Sequence, residues 1–211
     1  MRKQKVSGAV IRRLPRYYRH LTDLSIAGVV RISSSALGKA MNLTASQIRQ
    51  DLSCFGEFGQ QGYGYNVETL RSEVADILGM NQQHNAVLLG VGNLGRALME
   101  NFHFSRSGFQ LDAAFDIDPG IIGRTVSGVR VFSSEELSDY LNRHPTSVGV
   151  LTVPRGAAAA MANELVRSGV KGIWNFTNAE INVGDSGAVV ENVHFADSLL
   201  ALSYMISEEP Q

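Results

Sequence analysis

The clearest chemical signature in the 211-residue chain is a glycine-rich run, Gly90-Val91-Gly92-Asn93-Leu94-Gly95. An apolar stretch at residues 86–89 leads directly into this run, and a helical pattern follows it. Asp116 stands twenty-one positions after Gly95, at the end of a second apolar stretch. A strand, a Gly-x-Gly-x-x-Gly turn, a helix and an acid about 20 residues further on are typical of dinucleotide binding. The spacing therefore predicts a dinucleotide-binding unit.

Each residue type in this pattern has a mechanical reason. Gly90 permits the tight turn, Gly92 lets the backbone approach a pyrophosphate, and Gly95 allows close helix–strand packing. The amides and the dipole of the helix then hold the phosphates. Asp116 can accept hydrogen bonds from both ribose hydroxyls, and its charge would repel a 2′-phosphate, which favours NAD over NADP. Asp118 is an alternative acceptor, and a coenzyme A site or a turn needed only for packing are alternative interpretations.

Strand and helix patterns continue to alternate along the rest of the chain, which predicts a Rossmann-like, doubly wound parallel sheet. The later strands are predicted at residues 129–132, 148–153, 170–174 and 189–193, and the last helix from Phe195 to about residue 206. Ligands of such sheets bind at the carboxyl ends of the strands. The candidate cofactor neighbours at these ends are Thr152, Val153, Pro154 and Asn175. Ordinary loop roles are the alternative for each of them.

In the first eighty residues the apolar side chains recur with helical periodicity instead. Leu14, Tyr17 and Leu21 recur at helical spacing with arginines between them, and Pro15 is expected to kink or restart this helix. The serines at 33–35 offer N-caps to a second helix. The segment 44–47 is a capping-box pattern that opens a third helix.

The second and third helices, joined by a tight turn, form a helix-turn-helix arrangement whose last helix has a polar, basic outer face. Arginine and glutamine on such a face can make bidentate hydrogen bonds to guanine and adenine. Residues 55–65 combine four glycines with aromatic side chains and predict a β-hairpin wing that lies against DNA. The predicted DNA contacts are Arg12, Arg13, Arg16, Ser46, Gln47, Arg49, Gln50, Ser53, Phe58, Gln60, Gln61 and Tyr63. A small helical domain that binds another protein is the alternative.

Charge is distributed unevenly, although the formal net charge is only −1. Residues 1–80 carry eleven Lys and Arg against six Asp and Glu, whereas residues 81–211 carry eight against fourteen. This division suggests two domains with different partners, the basic one facing a polyanion. An uneven scatter of solvated charges would be the simpler explanation.

Composition indicates a cytoplasmic protein that does not enter a membrane. The single cysteine, Cys54, can form neither an internal disulfide nor a cysteine metal cluster, which is typical of a reducing compartment. No apolar run approaches the roughly 18 residues that a membrane span needs. The basic first residues lack the apolar core of a secretory signal.

The sequence contains no recognisable catalytic set. Its five histidines show no metal-ligand spacing, and the part after residue 86 has room for the nucleotide fold and little else. A dehydrogenase needs a proton donor and a substrate pocket as well. A cofactor fold attached to a DNA-binding domain suggests that the cofactor is a signal and not a reagent, so we predict that the protein is not an enzyme. The alternative is a small NAD-dependent oxidoreductase whose N-terminal helices form an oligomerisation domain.

Several long runs resemble the bacterial redox-sensing transcriptional repressors of the Rex family. They are RRLPRYYRHL, RISSSALGKAM, TASQIRQDLSCFGEFGQQGYGYNVETL, GVGNLGRAL, AAFDIDP, LTVP and KGIWNF. The resemblance implies a homodimer whose winged helices bind a palindromic operator when NAD predominates, and which NADH closes and releases from DNA. It also implies a C-terminal helix exchanged between subunits. The expected domains are a winged helix at 1–80, a Rossmann NAD(H)-binding domain at 81–194, and the exchanged helix and tail at 195–211.

The resemblance also assigns roles to single residues. Gly90, Gly92, Gly95 and Asp116 match the family's NAD site, and Phe195 matches the aromatic that the exchanged helix places near the partner's nicotinamide. Arg19 matches an arginine that helps to couple the two domains. Cys54 stands where a tyrosine is common.

Two positions depart from the family pattern. In better-known members the coupling arginine interacts with a tyrosine and an aspartate. In this chain Asn101 occupies the position of the tyrosine, and His194 occupies that of the aspartate. An imidazole facing Arg19 would be neutral or repulsive. We therefore hypothesise that discrimination of NADH is altered or weakened, or that His194 adds a pH dependence.

Overall fold

The computed structural model of the protein describes residues 6–56, 58–60 and 63–207. The chain forms two compact units, Met1–Gln82 and Gln83–Gln211. None of the helices in the described ranges is long and apolar enough to cross a membrane.

The first unit is a winged helix-turn-helix. Its helices are α1 (Gly8–Ile26), α2 (Ser34–Met41), α3 (Ala45–Ser53) and α4 (Val67–Ile77). Its strands are β1 (Arg31–Ile32), β2 (Gly59–Gln60) and β3 (Gly64–Asn66), which form an antiparallel sheet in the order β1-β3-β2. The α2–turn–α3 pair and the β2–β3 hairpin were both predicted from the sequence.

Side-chain caps determine where these helices begin. Ser7, Ser33, Thr44 and Asn66 each accept a hydrogen bond from the backbone N–H three residues further on, as preferred N-cap residues do. The predicted capping box at 44–47 is only half formed, because the Gln47 amide donates to Asp51 instead of reaching back to the cap. Residues of all four helices then pack into one core, which includes Leu14, Tyr17, Leu37, Ile48, Leu70 and Val74.

Helix α1 runs continuously through Pro15, so of the two predicted effects of this proline, a kink or a restart, the restart does not occur. Proline removes one backbone hydrogen bond and crowds the preceding turn. Pro15 is exposed, whereas Leu14, Tyr17 and Leu21 on the opposite side are at most 1% exposed. Burial of that apolar stripe, at about 1.5–3 kcal/mol for each large side chain, outweighs the lost bond.

The second unit is a Rossmann-like, doubly wound sheet, as predicted. Its strands are β4 (His84–Leu89), β5 (Phe109–Asp116), β6 (Thr125–Val126), β7 (Val129–Ser133), β8 (Val148–Leu151), β9 (Gly172–Asn175) and β10 (Val189–Asn192). They lie in the order β10-β9-β8-β4-β5-β7-β6, and all pairs are parallel except β6–β7. The helices are α5 (Asn93–Asn101), α6 (Leu137–Arg143), α7 (Arg155–Arg167) and α8 (Phe195–Ser207). The strand order reverses at β4, the point where ligands bind to open α/β sheets.

A buried carboxylate joins α1 to α3 in the first unit. Asp51 is 0% exposed. It accepts two hydrogen bonds from the Arg13 guanidinium, at 2.7 and 2.8 Å, and one from the Tyr17 hydroxyl at 3.0 Å. The Gln47 side-chain amide donates to the same carboxylate at 2.7 Å. Burial favours the neutral acid, but the hydrogen bonds from Arg13, Gln47 and Tyr17 outweigh it and hold the pKa of Asp51 below its ordinary value.

We expect this carboxylate to make the stability of the first unit depend on acid pH. Because the pKa of Asp51 is lower in the folded chain, its contribution is complete above the unfolded pKa of about 4 and is lost as the pH falls through the folded pKa. The free energy of unfolding of Asp51→Asn, measured by urea denaturation between neutral pH and about pH 2, should approach that of the unsubstituted protein in acid. The exposed Asp23, replaced by Asn, is the control. A difference that stays constant with pH would contradict this account.

Candidate functional site

The glycine turn after β4 is built from close backbone contacts. Gly90 has a φ of +97°, and a Cβ there would lie 2.8 Å from the backbone carbon of Thr152. A Cβ on Gly95 would overlap the Gly90 carbonyl oxygen. Glycine is therefore required at both positions by the protein itself, since α5 packs directly on the turn.

Gly92 is different, because no close contact in the described protein requires a glycine there. A Cβ there would have no heavy atom within 4 Å, and its φ of −70° suits any residue. Gly92 is the N-cap of α5 and supplies no side-chain cap. The start of this helix therefore combines backbone N–H groups, a positive dipole end and open space. That arrangement fits the pyrophosphate of a dinucleotide.

The Asp116 carboxylate lies against the same turn. It accepts hydrogen bonds from the backbone N–H of Val91 at 2.5 Å and from those of Ile117 and Asp118 at 2.7 and 2.9 Å. Asp118 bonds instead within its own turn, to the Gly120 N–H at 2.8 Å. Of the two acids considered from the sequence, Asp116 is the one that the fold brings to the glycine run. Val91 is buried, whereas Asn93 is exposed and Leu94 is half-buried.

Thr152, at the end of β8, serves to hold the glycine turn. Its hydroxyl lies 2.7 Å from the Gly90 carbonyl oxygen and 3.0 Å from that of Leu89. The neighbouring Val153 is half-buried, and the exposed Pro154 is the N-cap residue of α7. The structure thus places Thr152 and the backbone of Val153 beside the turn, with the Thr152 hydroxyl already used inside the protein.

Asn175, at the end of β9, has a structural role that the sequence did not reveal. It is 1% exposed. Its amide nitrogen donates to the Ala179 carbonyl and to the Asn192 side chain, both at 2.8 Å, and its oxygen accepts from the backbone N–H and the hydroxyl of Thr177 at 3.0 and 2.6 Å. Two donors and two acceptor positions are all that an amide has. The side chain therefore has no free hydrogen-bonding position for a cofactor, and it links β9, β10 and the following loop. Its place beside the cofactor stays a prediction.

Helix α8 leaves a large apolar surface uncovered. Phe195, its first residue, is 59% exposed, and its ring centroid lies 6.1 Å from that of Phe176. No residue of α8 is buried. Elsewhere in this unit an apolar groove of about 390 Å³ lies over β8 and β9, lined by Phe102, Phe104, Val148, Ile173, Trp174 and Val189 among others.

The three residues proposed for coupling have different surroundings. Arg19 is exposed on α1, and the exposed Asn101 donates to the Ala97 carbonyl within α5 at 3.0 Å. His194 is half-buried. Its Nδ1 lies 3.5 Å from the Asn178 side-chain oxygen, and its Nε2 lies 4.0 Å from a Glu180 carboxylate oxygen. An acidic partner for this imidazole is therefore present within its own unit.

Several of the predicted DNA-contact side chains form hydrogen bonds within the protein, and two of these, Arg16 and Arg49, are also exposed. Arg13 and Gln47 are bonded to Asp51, and Arg16 donates to the Met41 carbonyl at 2.9 Å. Arg49 donates to the hydroxyls of Ser34 and Ser46, each at 3.1 Å. The exposed members of the set are Arg12, Arg16, Ser46, Arg49, Gln50, Ser53 and Tyr63.

A residue beside the wing, on the strand that pairs with β3, was not among the predicted site residues. The guanidinium of Arg31, from β1, lies 5.9 Å from the ring centroid of Tyr63 and donates to the Tyr63 carbonyl at 3.4 Å. Phe58 is half-buried and packs on the core. Gln60 belongs to β2, but its side chain and the whole of Gln61 lie outside the described residues. The sequence contained one indication of this residue: Arg31 lies in a short stretch, 29–32, whose residue types favour a strand, and the structure pairs β1 with β3.

Replacement of Gly95 by alanine should lower the stability more than replacement of Gly92. Gly95→Ala forces a methyl group against the Gly90 carbonyl and should cost about 1–3 kcal/mol of unfolding free energy. Gly92→Ala meets no protein atom and should cost at most about 1 kcal/mol, the difference between glycine and alanine at an N-cap. Thermal and urea unfolding of the two variants compares them directly. Equal destabilisation would contradict the assignment of Gly92 to ligand approach.

Two protein families match consecutive parts of the chain. Residues 5–53 match the family described as "Putative DNA-binding protein N-terminus", and residues 81–179 match the CoA binding domain. The second match contains both the glycine run and Asp116.

Curated relatives and solved structures match nearly the whole chain. The redox-sensing transcriptional repressor Rex of Thermoanaerobacter pseudethanolicus is 47% identical over 208 residues, which cover 99% of this chain and 92% of that protein. Rex of Caldicellulosiruptor saccharolyticus is 46% identical over 99% of this chain and 94% of its own length. The crystal structure of RSP in complex with beta-NAD+ and operator DNA has a TM-score of 0.91 at 46% identity and covers 97% of this chain and 94% of RSP. RSP in complex with beta-NADH gives 0.90 at 43% identity over 97% and 96%.

These relatives are named as repressors and not as enzymes, in agreement with the prediction from the sequence. Identity of this extent, together with the winged helix and the nucleotide fold, shows that the chain belongs to the Rex family of redox-sensing transcriptional repressors.

Proposed function

We propose that the protein represses transcription by binding a palindromic operator as a homodimer, and that NADH releases it. The observation that carries the proposal is the similarity across 97% of the chain to RSP, whose structures include one with beta-NAD+ and operator DNA and one with beta-NADH. The glycine turn with Asp116 and the winged helix lie within the compared length. Because such a repressor acts on chromosomal DNA, we also place it in the cytoplasm.

Helix α3 and the wing are the elements that would contact DNA. A recognition helix enters the major groove with its N-terminal residues at the base edges. Ser46, Arg49, Gln50 and Ser53 are exposed on α3 and, with the half-buried Gln47 in its first turn, are the candidates for that groove. Arg12 and Arg16 on α1, with the wing, suit the phosphate backbone. Contacts of this kind make the affinity fall steeply with salt concentration.

The dinucleotide would bind at the glycine turn. Gly92 leaves room for the pyrophosphate at the start of α5, and the dipole of that helix favours the negative charge. The Asp116 carboxylate is placed to accept the ribose hydroxyls. Coenzyme A carries a 3′-phosphate on this ribose, which the same carboxylate would repel, so we favour NAD and NADH over coenzyme A despite the family match.

The switch must arise from the nicotinamide end of the cofactor. NAD and NADH share every contact except those of the nicotinamide ring and its charge. A ligand shifts an equilibrium only through its different affinities for the two states, and moving a population from 1:99 to 99:1 requires about 5.5 kcal/mol. In a homodimer the two bound cofactors together supply this free energy, so each needs to contribute only about half of it. We propose that Phe195 contributes to the discrimination, since the resemblance places it near the nicotinamide of the partner.

Exchange of α8 between two subunits would explain its exposed surface. Phe195, Leu199, Leu202 and Ile206 follow helical spacing along one side and are each more than half exposed. An apolar surface of this size on a soluble protein marks an interaction site. The groove beside Trp174 offers a complementary apolar surface on the same unit, so two copies could cover each other's helices reciprocally.

Titration of the operator complex tests the proposed function. We expect the RSP operator duplex, labelled and bound to this protein, to be released by NADH at concentrations at which NAD leaves the complex intact. Fluorescence anisotropy measures this release. If neither dinucleotide releases the DNA, the proposed sensing of NADH is contradicted but the proposed repression is not. If the protein does not bind the duplex at all, both parts of the proposal are contradicted.

The same titration examines the two departures from the family pattern. If Asn101 and His194 alter the switch, His194→Asp should change the NADH concentration needed for release. His194→Asn removes the imidazole without adding charge and is the matched control, because an aspartate would also stand close to Glu180. An unchanged NADH response of His194→Asp would overturn the hypothesis.

Substitution on α8 tests the dimer. Leu199→Asp puts a charge into the proposed apolar interface and should raise the dimer dissociation constant by roughly tenfold or more, since burial of one leucine contributes about 1.5–3 kcal/mol. Ser198→Asp adds the same charge to a neighbouring polar position and should have a smaller effect. Analytical ultracentrifugation at several protein concentrations measures both. A dimer unaffected by Leu199→Asp would exclude this face of α8 from the interface.

A further inference from the structure

Besides joining α1 to α3, the Asp51 carboxylate affects how the side-chain amide of Gln47 is oriented. Gln47 lies in the first turn of α3, three residues after the Thr44 cap, where a recognition helix approaches base edges. Its amide nitrogen donates to one oxygen of Asp51 at 2.7 Å. Gln47 is half-buried and lines a cleft of about 440 Å³ together with the exposed Gln50 and Ser53.

The chemistry of the carboxylate determines which end of the amide faces it. An ionised carboxylate only accepts hydrogen bonds, so the nitrogen of Gln47 must point towards Asp51 and the oxygen away from it. The hydrogen bonds from Arg13 and Tyr17 keep Asp51 from rotating, and they also hold its pKa low, so that it stays ionised at neutral pH. The orientation of the Gln47 amide is therefore fixed by the protein before any DNA arrives.

Gln50, one turn further along α3, provides the contrast. It is exposed, and its side chain makes no hydrogen bond within the described part of the chain. Its amide is free to turn over and can donate to guanine or accept from adenine. Gln47 lacks this freedom because one of its two N–H groups is held by Asp51.

We infer that Asp51 is a positioning residue that makes Gln47 a hydrogen-bond acceptor in the major groove and thereby selects a base with an exocyclic amine there. This inference rests on the proposed function. Adenine and cytosine present such amines, whereas guanine presents two acceptors. Adenine is the better match, because the second N–H of the Gln47 amide can meet N7 while its oxygen accepts from N6. The ion pair that joins α1 to α3 thus also contributes to sequence specificity.

Base analogues in the RSP operator duplex test the inference. Purine in place of one adenine at a time, and 2-pyrimidinone in place of one cytosine, removes only the exocyclic amine. For the unsubstituted protein we expect one position in each half-site at which this change weakens binding at least about fivefold, the lower end of the discrimination of a well-oriented base contact. Gln47→Ala should bind the native and the substituted duplex equally. It leaves the Arg13–Asp51–Tyr17 bonds in place, so it should remain folded.

The variant Asp51→Asn then separates positioning from simple stability. Asparagine can present either an acceptor or a donor to Gln47, so this variant should lose most of the discrimination at the Gln47-dependent position. Gln50→Ala is the matched control on the same helix, and it should keep the discrimination even if its overall affinity falls. Thermal unfolding of each variant shows whether it is folded at the temperature of the binding assay.

Each contrary result has a distinct meaning. A different outcome is that replacing a guanine by 7-deazaguanine, which lacks the N7 acceptor, weakens binding in a way that depends on Gln47. Gln47 would then donate a hydrogen bond to guanine, and the inference is overturned. If Asp51→Asn is folded and weakens binding equally on native and substituted duplexes, Asp51 has a structural role only, which also overturns it. If no analogue effect depends on Gln47 although the native duplex binds, the inference fails and the proposed function stands. If the native duplex is not bound at all, the proposed function fails first.

Discussion

The approach of α5 to the Gly90 carbonyl is the constraint on which the nucleotide unit depends. Gly95 must lack a side chain for this approach, and the Thr152 hydroxyl bonds to the same carbonyl from the end of β8. With the turn held from two sides, the Val91 N–H meets the Asp116 carboxylate. A helix N-terminus, an open glycine and an acid therefore meet at one turn, which is the arrangement that we propose binds the dinucleotide.

The DNA-binding unit uses a buried charge for a comparable purpose. Asp51 has no access to water, and its cost of burial is offset because Arg13, Tyr17 and Gln47 supply four hydrogen bonds to its two oxygens. Because each of these hydrogen bonds requires a particular direction of its donor, the network constrains the orientation of the side chains as well as offsetting the cost of burial. It sets how α3 lies on α1, and with it which side chains of α3 remain open for another molecule.

A repressor of this family has to convert a small chemical difference into loss of DNA binding. Its cofactors differ at one ring, whereas its recognition helices contact the operator through another unit of the chain. The exposed apolar side of α8 and the apolar groove over β8 and β9 are the features that a second subunit could use to amplify that difference. The His194 side chain, beside Glu180, stands at the base of the same helix.

Local sequence determined those features that depend on neighbours in the chain. Glycine spacing, N-cap residues and apolar periodicity predicted the turn at 90–95, the starts of α2 and α3, and the alternation of strands and helices, because each follows from backbone geometry within a few residues. Tertiary structure decided what distant residues do. It bonded Arg13 and Gln47 to a buried Asp51, used all four hydrogen-bonding positions of Asn175 inside the protein, and carried α1 through Pro15. These outcomes depend on partners 2 to 38 positions away and on burial, neither of which a residue's own type reveals.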